Sequence, residues 1–145
     1  MAFSDDLVVL FDNGSTKVAA GTSLFKNVTP ETTGRAVFVY DSPGLPAVEK
    51  FSGELPAMTR PRCQVLVRST KSVGGEGLVS STGTRVLATD MWELAVGVAN
   101  ESVNSVVYQR MSPVQDPFFL RRDEAGRAVF AFNVQAMRTA STQSG

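Results

Sequence analysis

The sequence predicts an α+β fold: a mixed or antiparallel sheet of about four to five strands, with one main helix and a short N-terminal helix packed on one face. Apolar residues concentrate in short segments at 36–40 and 63–68, which have the length and period of β-strands. A longer segment, beginning at 82 or 84 and ending near 99, has apolar residues at helical spacing. Because strands and helices do not alternate regularly, this order favours the α+β class over a doubly wound parallel sheet.

The N-terminal helix is predicted to begin at Ser4 and to end at Asn13-Gly14. A hydroxyl at the first position can cap a helix, and Asp5 and Asp6 place negative charge beside its positive end. The Asn-Gly pair favours a C-terminal stop. The predicted helix is therefore short, with one apolar side.

The first strand carries apolar residues on both faces. Phe38 and Tyr40 share one face, and Val37 and Val39 share the other. This pattern implies an interior strand or one that is covered twice.

A long connecting loop is predicted over residues 41–61. Proline and glycine in the run DSPGLP, residues 41–46, direct the chain out of the sheet, and further prolines extend the connection. Connections of this length are more often functional than ornamental. A disordered insertion is the alternative, and the sequence leaves both open.

The second strand, 63–68, has one apolar face, which includes Cys63, and one mixed polar face. We expect a buried, inert thiol, because the sequence has no histidine to activate a nucleophile. The glycine-rich run at 74–77 lacks the pattern of a phosphate-binding loop and predicts a hinge before the main helix.

The last part of the chain predicts a third strand at 106–110 and a closing β-hairpin. Two apolar stretches, at 118–120 and 128–134, flank a polar turn with a glycine at its exit. Residues 139–145 are small and polar, so we expect a flexible tail or one bound to a neighbour. The whole chain, 1–145, suits a single domain with one core.

Composition excludes several classes of function. The 14 basic and 14 acidic residues cancel to a formal charge of zero, which argues against a strongly electrostatic nucleic-acid binder. With one cysteine and no histidine, the chain cannot form disulfide frameworks, histidine-containing zinc sites or histidine-based triads. No run approaches the roughly 20 apolar residues of a membrane span, and residues 1–6 do not have the basic and long apolar stretches expected of a secretion signal. We therefore expect no membrane partner, and a protein that acts in a cytosol or in a particle assembled there.

No catalytic, cofactor-binding or metal site is predicted. The adjacent acid pairs Asp5-Asp6 and Asp123-Glu124 are explained by a helix start and a hairpin tip. Metal sites and glycosidase-type pairs need carboxylates that converge from separate elements. An enzyme of unknown type that uses these acids or Cys63 stays open as a minor hypothesis.

Arginines cluster around the predicted strand ends and are candidates for contact. They could bind DNA phosphate, because the guanidinium group matches phosphate well. Pairing with acids of another subunit, such as Glu54, Asp123 or Glu124, is the alternative that we favour. The residues expected at an interface with a subunit or neighbour are Arg60, Arg62, Arg68, Phe118, Phe119, Arg121, Arg122, Asp123, Glu124 and Arg127.

The order of several segments resembles the tail terminator family of long-tailed bacteriophages, a group often labelled minor capsid proteins. The similarity lies in residues 39–46 (VYDSPGLP), in 63–68 (CQVLVR), and in 123–127 (DEAGR) followed by 132–134 (FNV). Together these segments span most of residues 35–138. None of them is a chemical signature, so the resemblance is one of pattern and order.

This resemblance implies a non-enzymatic α+β subunit that closes into a ring, typically hexameric, on the end of the finished tail tube. The ring would stop tube polymerisation and offer an attachment face to the head. Its implied partners are further copies of the chain, the tail tube protein and the head-tail connector protein, with DNA passing through the lumen. The implied location is the head-proximal end of the virion tail, after assembly in the host cytoplasm. A tail-tube or head-tail connector protein is the alternative.

Overall fold

The computed structural model describes residues 2–15, 17–31, 35–48, 58–69, 77–123 and 126–139. These residues form two helices and seven strands. In chain order the elements are α1 (Phe3–Gly14), β1 (Leu24–Lys26), β2 (Ala36–Val48), β3 (Met58–Arg68), α2 (Gly77–Val96), β4 (Ala99–Val103), β5 (Val106–Pro113), β6 (Phe118–Arg122) and β7 (Ala128–Thr139).

The strands form one mixed sheet in the order β1-β2-β3-β7-β5-β4, and β6 also pairs with β7. β1 and β2 run parallel, whereas every other pair is antiparallel. β5 pairs with residues 134–138 of β7 and β6 with residues 128–131. β5 and β6 therefore act as one long strand that is interrupted at 114–117, and the sheet curls into a half-barrel.

Both helices pack on one face of this sheet, where the core lies. The alternation of β3 and β7 points Val65, Val67, Phe130 and Phe132 toward the helices. α1 and α2 present apolar stripes that cover these side chains. The core residues of the helices are Phe3, Leu7, Phe11, Leu87, Ala88, Met91 and Ala95.

The predicted count of four to five strands is wrong, because the described residues contain seven. The two outermost strands carry little strand signal. β1 has only three residues, and in β4 only Val103 is buried. Short edge strands are ordered by backbone hydrogen bonds to one neighbour rather than by an apolar face, so alternation does not reveal them.

The predicted loop over 41–61 is also wrong at both ends, because the flanking strands continue through it. Residues 41–48 belong to β2 and residues 58–61 belong to β3. The two strands pair over this region and form a long β-hairpin. Residues 49–57, which join its two strands, lie outside the described residues, so the disordered-insertion alternative concerns only a shorter segment.

The prolines that predicted an exit from the sheet lie in β2 instead. β1 pairs with β2 only at 37–39, so Pro43 and Pro46 have no second strand beside them in the described part of the chain. Proline is tolerated at such a free edge because its missing N–H is not needed there. Gly44 is required for a different reason: a Cβ at this position would lie 2.6 Å from the carbonyl oxygen of Arg60.

α1 begins at Phe3 and has no side-chain cap, so the predicted capping role of Ser4 is wrong. The Ser4 hydroxyl instead donates to the carboxylate of Asp41 in β2 at 2.7 Å, and its backbone N–H donates to the same group at 3.2 Å. The side-chain amide of Asn27 adds a further hydrogen bond at 2.9 Å. Burial would raise the pKa of Asp41, but these hydrogen bonds outweigh it and hold the pKa below its ordinary value. Ser4 therefore fastens the helix to the sheet.

The main helix starts earlier and ends earlier than predicted. α2 covers Gly77–Val96, whereas the pattern predicts a start at 82 or 84 and an end near 99. The last predicted turn contains the start of β4 instead. Of the hinge predicted at 74–77, only Gly77 lies within the described residues, where it is the first residue of the helix.

Candidate interaction surface

The candidate functional residues converge on the sheet face opposite the helices, which we call the outer face. In β3, Cys63, Val65 and Val67 point into the core, so the residues between them point to the outer face. The cross-strand register extends this face over β2, β5, β6 and β7. The charged residues at its described strand positions are all arginines: Arg60, Arg62, Arg68, Arg110 and Arg121. The outer face is therefore basic, although the formal net charge of the chain is zero.

Some of these arginines are available for a partner. Arg62, Arg110 and Arg121 make no side-chain hydrogen bond or ion pair with another described residue. Arg110 and Arg121 are exposed and Arg62 is half-buried. Unpaired guanidinium groups on one face attract carboxylate or phosphate groups and can bind them in a bidentate manner.

A cavity of about 560 Å³ opens on the outer face beside the β6–β7 hairpin. Aromatic and aliphatic side chains form its floor, and two guanidinium groups, a phenol and an amide contribute hydrogen-bond donors. This size and mixture are typical of sites that bind an apolar group with a polar or charged end. The cavity is lined by Thr29, Phe38, Tyr40, Gln64, Leu66, Arg68, Leu120, Arg121, Asp123 and Val129.

Arg68 is a nearly buried charge at this cavity, with 4% of its surface exposed. Its guanidinium lies 4.7 Å from the ring centroid of Phe38, which stacks on Phe25 with 5.7 Å between the two centroids. It also donates to the backbone carbonyl of Pro30 at 2.9 Å. Burial lowers the pKa of Arg68, and the charge of Arg127 lowers it further. An anionic group in the cavity would offset both effects.

Ion pairs hold the turn of the β6–β7 hairpin. Nε of Arg127 lies 2.6 Å from the carboxylate of Asp123, and Nη2 lies 3.0 Å from that of Glu31. The backbone N–H of Arg127 also donates to Asp123 at 2.9 Å, and Arg122 donates to the carbonyl of Gly126 at 2.9 Å. Asp123 and Arg127, both expected at an interface, are therefore paired with each other inside the chain.

The edge of β6 that faces away from β7 has no strand beside it among the described strands. Phe118 and Phe119 of β6 are 36% and 46% exposed, although Phe119 also contacts the ring of Phe130 edge-on. An open strand edge with exposed apolar side chains favours pairing with another chain. The prolines of β2 oppose such pairing at the other side of the sheet, so the two sides are not equivalent.

The buried carboxylate of Asp6 and the buried thiol of Cys63 have structural roles. The Asp6 carboxylate is fully buried, accepts hydrogen bonds from Tyr108 and Asn104, and lies 3.5 Å from Nη1 of Arg138. The sequence had assigned Asp6 only to the helix start. The thiol of Cys63 is fully buried, as predicted, and burial raises its pKa. A raised pKa disfavours the reactive thiolate.

The structure brings several of the predicted interface residues together and shows part of the site that the sequence did not indicate. Glu124 lies outside the described residues. The cavity floor, with Phe38 and Leu66, was missed, although apolar residues on both faces of β2 were a signal that its second face is covered. The predicted residues that share the outer face are Arg60, Arg62, Arg68 and Arg121.

The sheet is curled, carries both helices on one face and is basic on the other. These features are suited to binding other macromolecules. Residues 9–139 match the family model described as bacteriophage tail terminator protein. The chain belongs to this family, and the resemblance seen in the sequence is confirmed. It is therefore a structural protein of a phage-type tail, a virion component that associates with other tail components.

A solved structure shows the same fold at low sequence identity. A chain from the virion of a native gene transfer agent particle has a TM-score of 0.53 and 14% identity, and the match covers 83% of this chain and 81% of that chain. The match to a second solved chain covers 98% of this chain and 100% of that chain, with a TM-score of 0.49 and 13% identity. No curated protein matches the sequence.

Membrane-spanning helices and metal-binding clusters are both absent from the described residues. Neither described helix is long and apolar enough to cross a membrane. Within the same residues, no group of three or more Cys, Asp or Glu side chains could hold a metal ion.

Proposed function

We propose that the protein forms a ring, hexameric in form, that caps the tail tube, ends its polymerisation and provides the face to which the head attaches. The observation that carries this proposal is the match of residues 9–139 to the tail terminator family. The ring would lie at the head-proximal end of the virion tail, after assembly in the host cytoplasm, with DNA passing through its lumen. Its partners would be further copies, the tail tube protein and the head-tail connector protein. It would act by contact alone, without a cofactor or a catalytic step.

The distribution of charge supports a contact between two different surfaces of neighbouring copies. A formal charge of zero means that copies do not repel each other at long range. The described strand positions of the outer face carry arginines and no carboxylate, so two outer faces would repel each other and a different surface of the neighbour is favoured. A head-to-tail contact of this kind, repeated around an axis, closes into a ring when its rotation allows closure.

The proposed interface is centred on β6 and the neighbouring arginines. The open edge of β6 supplies backbone groups and two exposed rings, and the outer face supplies guanidinium groups. Asp123 and Arg127 would act by holding the hairpin turn that presents this edge. The residues proposed to contact a subunit or neighbour directly are Arg60, Arg62, Arg68, Phe118, Phe119, Arg121, Arg122 and Glu124.

Reversing the charge of Arg62 and Arg121 together, to glutamate, is expected to weaken ring formation by about tenfold or more, because like-charge contacts oppose association. The measurement is the sedimentation mass of the purified chain over a range of concentrations. Lys17→Glu is the matched control, because Lys17 lies outside the outer face and its side chain is 53% exposed, paired only with Asp90. Tail lengths in electron micrographs, with each variant supplied to a phage that lacks its own copy, provide the second readout.

Two results would contradict the proposal. A wild-type chain that stays monomeric at every concentration and is missing from purified particles would exclude a ring. A chain that stacks into long tubes, or that is found along the tube or within the connector, would favour the alternative of a tail-tube or connector protein.

A further inference from the structure

We propose that the outer-face cavity of one copy receives residues 49–57 of the neighbouring copy, with a glutamate of that segment paired to Arg121 and Arg68. The inference rests on the ring proposed above and names the contact that closes it. Its occupant is a defined segment of this chain, which joins β2 to β3 and lies outside the described residues.

The side chains that line the cavity favour a ligand that is both apolar and anionic. Phe38, Leu66 and Leu120 supply apolar surface at its lining. Arg121 supplies a guanidinium that has no side-chain partner among the described residues. Arg68 adds a second positive charge, which is nearly buried. A carboxylate beside a large apolar side chain matches this lining, because the carboxylate can pair with Arg121 while the apolar side chain packs on the three apolar residues.

Residues 49–57, with the sequence EKFSGELPA, have this chemistry. Glu54 is followed directly by Leu55, and Glu49 is two residues from Phe51. The outer face, in contrast, has arginines but no carboxylate at its described strand positions. Asp123 also lines the cavity, but its carboxylate is paired with Arg127. The segment and the cavity are therefore complementary in charge and in apolar character.

A glutamate of the segment cannot pair with the arginines of its own cavity. Met58 and Arg68 are the two ends of β3, and ten residue steps at about 3.3 Å place them about 33 Å apart. Glu54 is only four residues from Met58, which allows a reach of at most about 14 Å. Arg68 and Arg121 share the far end of the sheet through Val129, so this ion pair requires two copies.

The strands that flank the segment are paired up to both of its ends. β2 and β3 remain paired as far as Val48 and Met58, and β7 pairs with β3 at Met58 as well. Gly44 approaches the carbonyl of Arg60 so closely that no larger residue fits without a shift. A segment presented by paired strands loses less conformational freedom on binding than an unsupported one.

A charge exchange tests this contact with the full chain. Arg121→Glu alone is expected to weaken assembly by about tenfold, and Glu54→Arg or Glu49→Arg alone should do the same. Combining Arg121→Glu with the glutamate reversal that engages it should return assembly to within about threefold of wild type, because the pair is restored with opposite sign. Arg121→Glu combined with Glu93→Arg is the control and should remain defective.

Mixing two defective chains gives a sharper test. A chain with Arg121→Glu and a chain with Glu54→Arg (or Glu49→Arg) should assemble together although neither assembles alone, because every contact in an alternating ring then joins a glutamate to an arginine. Arg121→Gln, which removes the charge without reversing it, keeps the test valid if Arg121→Glu fails to fold by circular dichroism. In that case Arg121→Gln should weaken assembly, and an unchanged affinity would overturn the inference.

The outcomes separate this inference from the ring itself. Wild-type rings that form, together with exchange variants and mixtures that stay defective, would overturn the cavity contact and leave the ring intact. A wild-type chain that never assembles would overturn the ring. A short DNA duplex that binds the wild-type chain and is lost with Arg121→Glu, without any rescue by the exchange, would identify the cavity as a phosphate site and also overturn the inference.

Discussion

Replacing Asp6 with alanine is expected to lower the free energy of unfolding by about 3 to 5 kcal/mol, the usual result of removing one partner from a buried ion pair. The carboxylate is fully buried and connects α1 to the sheet through Tyr108, Asn104 and Arg138. Its removal leaves the Tyr108 hydroxyl without its acceptor and the Arg138 guanidinium without its countercharge. Urea unfolding of the two chains, followed by circular dichroism, measures the difference.

Asp5→Ala is the matched control for this change. Asp5 is the adjacent acid in the same helix, but its side chain is 30% exposed and pairs with the exposed Lys26. Exposed ion pairs contribute little to stability, so the control should unfold close to wild type. Equal losses for the two variants would show that the Asp6 network does not hold α1 to the sheet.

Replacing Phe130 with alanine should cost about 3 to 5 kcal/mol of unfolding free energy, because a large core side chain leaves a cavity that the surroundings fill only partly. The ring is 1% exposed and meets Phe119 edge-on at 5.7 Å between centroids. The guanidinium of Arg85, a residue of α2, lies 5.0 Å from the ring centroid of Phe130. Phe130 thus joins β6, β7 and α2, so the variant should loosen the hairpin that presents the open edge.

Phe119→Ala separates the core effect from the surface effect. Phe119 belongs to the same aromatic contact but is 46% exposed, so its loss removes less buried surface and should be markedly less destabilising. The same urea unfolding experiment measures both variants. A Phe119 variant as unstable as the Phe130 variant would mean that β6 is part of the folding core, which would weaken its assignment as a contact edge.

The parts of the fold that the sequence indicates are those with a strong local pattern. The predicted hairpin of β6 and β7 is confirmed by the antiparallel pairing of these strands. Its sequence signal is local: two apolar stretches flank a turn with Gly126 at its exit, where φ is +80°. The burial of Cys63 follows from strict alternation in β3. Both signals arise within a few residues of the chain and depend little on distant contacts.

The parts that the sequence does not indicate depend on distant partners. β2 continues through Pro43 and Pro46 because its outer edge needs no donor there, and the sequence does not show which strands lie at an edge. Asp6 is two residues from Ser4, and both look like a helix start. The structure instead uses them to bind β5 and β2, respectively. Such roles are set by which elements pack together.

The contact surface was indicated only in part. Arginines at strand ends pointed to Arg62 and Arg121, because charge on a strand is a local feature of the sequence. The cavity beside them exists only because the sheet curls and brings Thr29 and Leu120 across from Leu66. Curvature depends on the pairing of all the strands, so no short segment predicts it.

Side-chain footprinting shows most directly whether the outer face and the open β6 edge form the contact surface. Hydroxyl-radical labelling compares Phe118, Phe119 and Tyr40 in the free chain and in purified tails, with the exposed Val86 on α2 as the internal control. If these surfaces form the contact, labelling of the three aromatic residues falls in assembled tails more than labelling of Val86. Aromatic residues that stay fully labelled in tails, while α2 becomes protected, would contradict this assignment.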